Sequence, residues 1–207
     1  NGATLGISAT TNGAIGASAG PRVIANPLRK FLGSNFNHTL NISGSTELEF
    51  TGQFTLDGGI NNGSYTLNST NTADTIFSGD IVQDGGDSSP RDIIKDGPGR
   101  MIFEGANAYF GTTTVAGGTL VVNGSTTGQD DYQVRSGATL AGTGTLGLLP
   151  SGALIVDANG TVAPGMDGLG TLTVSGDVTI SGTLAIEISN SLSDVLSVDE
   201  LLTLDVT

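Results

Sequence analysis

From His38 onward, apolar and polar residues alternate in short bursts, the period of a strand with one buried face. Thr39-Leu40-Asn41-Ile42-Ser43 and Glu47-Leu48-Glu49-Phe50-Thr51 carry the pattern, and Phe54-Thr55-Leu56, Tyr65-Thr66-Leu67 and Thr75-Ile76-Phe77 continue it. Gly-Gly, Asn-Asn-Gly and Asn-Ser-Thr-Asn segments between them read as corners. Strands resume at Ile93-Ile94 and Met101-Ile102-Phe103, after a polar stretch over 83–92 that predicts a protruding loop. Residues 1–20 are short strand-like pieces between glycines. Residues 21–32 differ in kind: Pro21 and Pro27 can each open a turn or a short helix, and Val23, Ile24, Leu28, Phe31 and Leu32 can form one apolar face. That segment predicts either a short helical cap or a loop crossing the end of the fold.

A three-residue phrase recurs through the second half. Gly118-Thr119-Leu120 returns as Gly137-Ala138-Thr139-Leu140, Gly144-Thr145-Leu146, Gly152-Ala153-Leu154, Gly170-Thr171-Leu172 and Gly182-Thr183-Leu184, and Gly2-Ala3-Thr4-Leu5 opens the chain. Each phrase is a turn glycine followed by a small or β-branched residue and an apolar one, so each predicts a strand starting at a corner. Short units that cannot bury a face alone must stack, which predicts an all-β fold, a β-solenoid. The uneven spacing of the phrases implies more than one per coil, on different faces. A coil of about 18–22 residues gives roughly nine or ten coils, and at ~4.8 Å between strands a rod of about 45 Å. The expected organisation is an N-terminal strand and cap or junction segment over 1–36, followed by a solenoid body over 37–207.

Composition narrows the function classes. Charged residues are only 13%, and neutral Thr, Ser and Asn fill the polar positions, which suits stacked strands where like charges would lie directly above one another. The absence of Cys removes disulfides, thiolate metal sites and Cys catalysis. A net charge of −13 excludes sequence-independent nucleic-acid binding, which depends on Lys and Arg neutralising phosphates. There is no run of 18 apolar residues, so no helical membrane span is expected. A start at Asn1 with no signal-like segment is expected of a processed protein or a fragment.

Candidate chemistry is sparse. His38 is the lone histidine and reads as a surface or corner residue. Asp84, Asp87 and Asp92 alternate with glycines in one loop and form the best calcium candidate, against the plainer reading of a solvated loop. Asp157, Asp167, Asp177 and Glu187 recur every ten residues but stand in separate strand or turn contexts, with no Lys or Arg after Arg135 to neutralise charge beside them. No catalytic residue, metal site or cofactor is assigned.

The stretch from Asp96 to Gly124, with Gly105-Ala106-Asn107-Ala108-Tyr109-Phe110-Gly111-Thr112-Thr113 and Val115-Ala116-Gly117-Gly118-Thr119-Leu120 at its heart, resembles the passenger-associated, or autotransporter-associated, β-strand repeat. Ser136–Leu146, Ala163-Pro164-Gly165 with Gly170–Val174, and Ser193-Asp194-Val195-Leu196-Ser197-Val198 look like its continuation, so the resemblance covers roughly 93–207. It implies a right-handed parallel β-helix, exported to a bacterial surface or the extracellular space, with no catalytic residues to carry over.

Charge is distributed unevenly along the chain. Residues 1–46 hold Arg22, Arg29 and Lys30 and no carboxylate, whereas residues 136–207 hold eight acids and no Lys or Arg. If the coils stack in sequence order, the rod has a basic and an acidic end. Leu201-Leu202-Thr203-Leu204-Asp205 reads as an apolar strand rather than a polar cap. The leading expectation is therefore an extracellular structural protomer that assembles head-to-tail into a filament. Arg22, Arg29 and Lys30 would meet Asp199, Glu200, Leu202, Leu204 and Asp205 at each junction. Two alternatives stay open: an adhesin-like passenger stalk that binds a host surface or polysaccharide, and a polysaccharide-active β-helix enzyme.

Overall fold

A computed structural model describes residues 5–7, 13–30, 37–56, 63–84 and 89–205, and for Leu5–Ile7, Gly13 and Lys30 the backbone alone. Among the described residues all regular structure is strand, and no helix is present that could cross a membrane. The strands wind into a parallel β-helix with three faces. The first coil runs through Gly13–Ala17, Arg22–Ile24 and Leu28–Lys30, and the second through Asn37–Gly44, Leu48–Phe50 and Phe54–Leu56. Gly63–Ser69, Thr75–Phe77 and Ile81–Gln83 make the third, and Arg91–Asp96 and Arg100–Phe103 open the fourth.

Stacking follows sequence order throughout. On the second face eight strands lie in one parallel sheet, from Arg22–Ile24 to Thr183–Leu184. At ~4.8 Å per step those eight strands extend about 34 Å, shorter than the nine or ten uniform coils expected from the phrase spacing. The discrepancy comes from coil length. Arg22 stands opposite Leu48 and Leu48 opposite Thr75, rungs of 26 and 27 residues. Arg100 stands opposite Thr119 and Thr119 opposite Thr139, rungs of 19 and 20.

The shortening occurs at one corner. In the first three coils the third face ends at Lys30, Leu56 or Gln83 and the first face resumes at Asn37, Gly63 or Arg91. Ala106–Val115 and Ser125–Val134 instead run through that corner unbroken, pairing with third-face strands by their first halves and first-face strands by their second. The register shifts around Gly111, whose φ of 122° only glycine takes easily, make the bend.

Each Gly-Thr-Leu phrase of the second half opens a strand at a corner: Thr119–Val122, Thr139–Gly142 and Thr183–Leu184 on the second face, Thr145–Leu148 and Thr171–Ser175 on the third, Ala153–Val156 on the first. Gly2-Ala3-Thr4 lies outside the described residues. At Gly118 (φ 61°) a side chain would strike the carbonyl oxygen of Gly97 one coil above, so the turn admits glycine alone.

Of the segment 21–32, Phe31 and Leu32 lie outside the described residues, and the regular structure over 21–30 is strand rather than helix. Arg22–Ile24 begins the second-face sheet, and Leu28–Lys30 pairs with both Leu5–Ile7 and Phe54–Leu56. Two prolines six residues apart leave strands of three residues, too short to show a period of their own. The loop expected over 83–92 is likewise narrower, since Gln83 ends one strand and Arg91-Asp92 begin the next. Gln83 Nε2 and Arg91 Nη1 both donate to the carbonyl of Ser89.

The core is a set of inward columns. In the wide coils Phe50 and Phe77 stack with centroids 4.7 Å apart, and Phe103 meets Phe77 edge-on at 5.7 Å. In the narrow coils Leu120, Leu140 and Val162 fill the interior. One column holds a surprise: Lys95 stands between Leu67 and Val115 and is fully buried. Its ammonium donates to the carbonyls of Asp96, Gly97 and Gly117 at 2.8–3.1 Å, tying two successive turns together.

Candidate contact surfaces at the acidic end

Sequence-order stacking places the basic first coil and the acidic last coils at opposite ends of the rod. At the basic end, Arg22 donates to the carbonyl of Ala19. Arg29 reaches along the third face to Asp84, 2.8 Å away with both side chains about half exposed, so part of the basic charge is spent within the rod. For Lys30 the side chain lies outside the described set. The same contact engages one of the three calcium candidates. Asp92 accepts from the Thr112 backbone at 2.9 Å, and Asp87 falls outside the described residues. Among the described residues no three His, Cys, Asp or Glu side chains converge as a metal would require.

At the other end, Val195–Val198 and Leu202–Leu204 close the third and first faces. Leu202 and Leu204 extend the columns of Val178 and Ile180 and are 41% and 53% exposed. Asp199, Glu200 and Asp205 surround them, all exposed. The five candidates Asp199, Glu200, Leu202, Leu204 and Asp205 therefore gather on one terminal edge, an apolar centre rimmed by carboxylates.

A second surface lies at the side, where the second face turns into the third. Elsewhere this corner is tight, as between Phe103 and Ala106 or Val122 and Ser125. After Pro164 it opens into a strap, residues 165–170, and after Leu184 into a longer excursion. That excursion carries a two-stranded antiparallel hairpin, Ile188–Ser189 with Leu192–Ser193. The strap lies back over the outer face, where Met166 packs against the outward apolar column of Ile102, Val121 and Ala141. Asp167 pairs with Arg100, three strands up the sheet, and Arg100 also faces Asp74 at 3.5 Å. Met166 and Asp167 both have positive φ, 47° and 72°, a conformation costly for non-glycine residues and held only where the surroundings enforce it.

The end of the strap is anchored by Asp194. Only 4% exposed, it accepts from the backbone N–H of Gly170 through Oδ1 and of Glu187 through Oδ2, each at 2.9 Å. One buried carboxylate thus fixes the strap and the hairpin together. Between them lies an open groove of about 350 Å³, walled by Pro164, Met166 and Ile186 and edged by Asp167, Glu187 and Asp194. The other acids of the ten-residue series do not join it: Asp157 pairs with Arg135 at 3.2 Å, and Asp177 accepts from the Leu201 backbone at 3.1 Å. Asp194 was visible in the sequence as part of Ser-Asp-Val-Leu-Ser-Val, but its partners are backbone groups that leave no residue-type signature. For Met166, the run Pro-Gly-Met-Asp-Gly-Leu-Gly marks a turn but not its direction.

Comparison with known proteins places this architecture. Residues 93–122 and 166–187 match the model of the passenger-associated-transport-repeat. The first segment runs past one full coil, since Ile93 already stands opposite Thr113, and the second, about one coil long, begins at the strap and ends at the groove's acidic rim. An autotransporter adhesin, BmaC, from Brucella suis biovar 1 (strain 1330) is 35% identical over 83 residues, 40% of this chain. The chain spans 2% of the length of that relative. No solved structure matches.

Proposed function

We propose that this β-helix is a structural shaft of the autotransporter-passenger type, exposed on a cell surface or outside the cell. In this reading it extends end-on, the acidic apolar edge of one copy taking the basic edge of the next. The observation that carries the proposal is the charge axis of the described coils, with Arg22 and Arg29 in the first and Asp199, Glu200 and Asp205 in the last, where Leu202 and Leu204 stand in register with the core columns of Val178 and Ile180. A further parallel coil fits that edge in register, and the opposite charges of the two ends favour the head-to-tail orientation. Such a contact is heterologous and does not close on itself. Asp84, Asp157, Asp167 and Asp177 are engaged by Arg29, Arg135, Arg100 and a backbone N–H respectively, which favours a structural role over the polysaccharide-active one.

Sedimentation velocity tests the end-on contact. At low ionic strength the sedimentation coefficient is expected to rise with protein concentration. It falls back to that of a single rod in 1 M salt, where the Debye length is about 3 Å. Reversing the acidic rim with Asp199→Lys and Asp205→Lys is expected to abolish the rise. A coefficient independent of concentration and salt in the wild-type chain sinks the end-on reading.

The adhesin-like reading is favoured by a separate observation, the strap and hairpin standing out from an otherwise tight corner. It gives binding to a host surface or polysaccharide that survives the rim reversal and is lost when residues 186–193 are replaced by a short turn. Binding by both forms alike would remove this reading.

A further inference from the structure

The side groove combines three properties that no other described surface of the chain shares. Its walls are apolar, its rim is acidic, and both walls are fixed in advance by the buried Asp194 carboxylate. Of the three rim carboxylates, Asp167 is paired with Arg100 and Asp194 is held by two backbone N–H groups, so the exposed Glu187 is the one that faces the groove with no cation beside it among the described residues. No Lys or Arg follows Arg135, and Arg100, which pairs with Asp167, comes from three strands away on the outer face. Beyond the groove the apolar surface continues onto the hairpin, where Ile188 and Leu192 stand 78% and 67% exposed.

From this we infer that the groove is a docking site for a partner polypeptide that inserts a lysine or arginine flanked by apolar residues. The fit is chemical. The methylene stem of such a side chain lies along Met166, Pro164 and Ile186, and its cationic head reaches the carboxylate of Glu187. The flanking apolar residues cover Ile188 and Leu192. A free small cation would satisfy the rim and leave those two side chains in water, which is why the occupant is a polypeptide segment. Because Asp194 already holds strap and hairpin in place, little ordering of the site is required on binding.

The chain carries its own reporter. Of its two methionines, Met101 is fully buried in the core and Met166 lines the groove. Methyl NMR of the full chain labelled at the methionine methyl carbons is read during titration with a short peptide of alternating lysine and valine. The control probes are the same peptide with glutamate for lysine, and spermine. The lysine peptide is expected to move the Met166 signal saturably and leave Met101 in place. Glu187→Lys is expected to weaken that response at least about tenfold, and Glu187→Gln by less, with an unmoved Met101 signal showing the fold intact. The proposal is overturned if Met166 does not move at millimolar lysine peptide. It is equally overturned if spermine or the glutamate peptide moves Met166 as far, or if Met166 shifts with protein concentration alone, which would give the groove to a second copy. None of these outcomes depends on end-on stacking, so the two proposals stand or fall separately.

Discussion

Three residues show how this fold places polar groups where its sequence demands an apolar column. Lys95 occupies an inward position between Leu67 and Val115, and three carbonyls take its three protons. Burial, opposed in part by the neighbouring Asp96 carboxylate, lowers its pKa from 10.5 to about 8. Between pH 8 and 10.5 the unfolded chain therefore holds a proton that the folded chain has released, so this group adds stability as pH rises through that window. Below pH 8 the cost of burying the charge is present in full. Tyr109 and Tyr132, whose pKa values are raised by burial, act the other way, but only above pH 10, where unfolded tyrosine ionises. Urea unfolding at pH 8, 9 and 10 is expected to show a rise in stability for the wild-type chain that is missing in Lys95→Met; equal slopes would refute the assignment.

Within elements, the wide and narrow coils are held differently. The wide coils fill a larger section with stacked rings, Phe50, Phe77 and Phe103, whereas the narrow ones need only aliphatics. Phe77→Ala is expected to cost about 3–5 kcal/mol, because the rings above and below hold the cavity open. Thr66→Ala, on the outer side of Gly63–Ser69, is expected to stay within about 0.5 kcal/mol. Denaturation midpoints of the two variants check this contrast. The strands were legible where burial alternates over five or more residues, as in Asn37–Gly44, and where a glycine corner announces them. Legibility failed at Arg22–Ile24 and Leu28–Lys30, which are strands only because a neighbouring coil pairs with them. Coil length was misjudged for a related reason: the Gly-Thr-Leu spacing reports the narrow half, and the corner that lengthens the other half has no phrase of its own. The terminal edge could be read from charge and hydropathy. The groove could not, because the strap folds back against the direction of the chain to Arg100.

At the scale of the molecule, sequence-order stacking turns a charge gradient along the chain into a charge axis along a rod. We propose that the charged ends of the rod and the side corner that carries the hairpin serve different contacts, and the end-on contact is the central proposal. Negative-stain electron microscopy of the purified chain at low ionic strength tests it most directly. Fibres one β-helix wide, many times longer than the ~34 Å of a single copy, that disappear on Asp199→Lys with Asp205→Lys are the expected result. A field of short single rods at every concentration would contradict it.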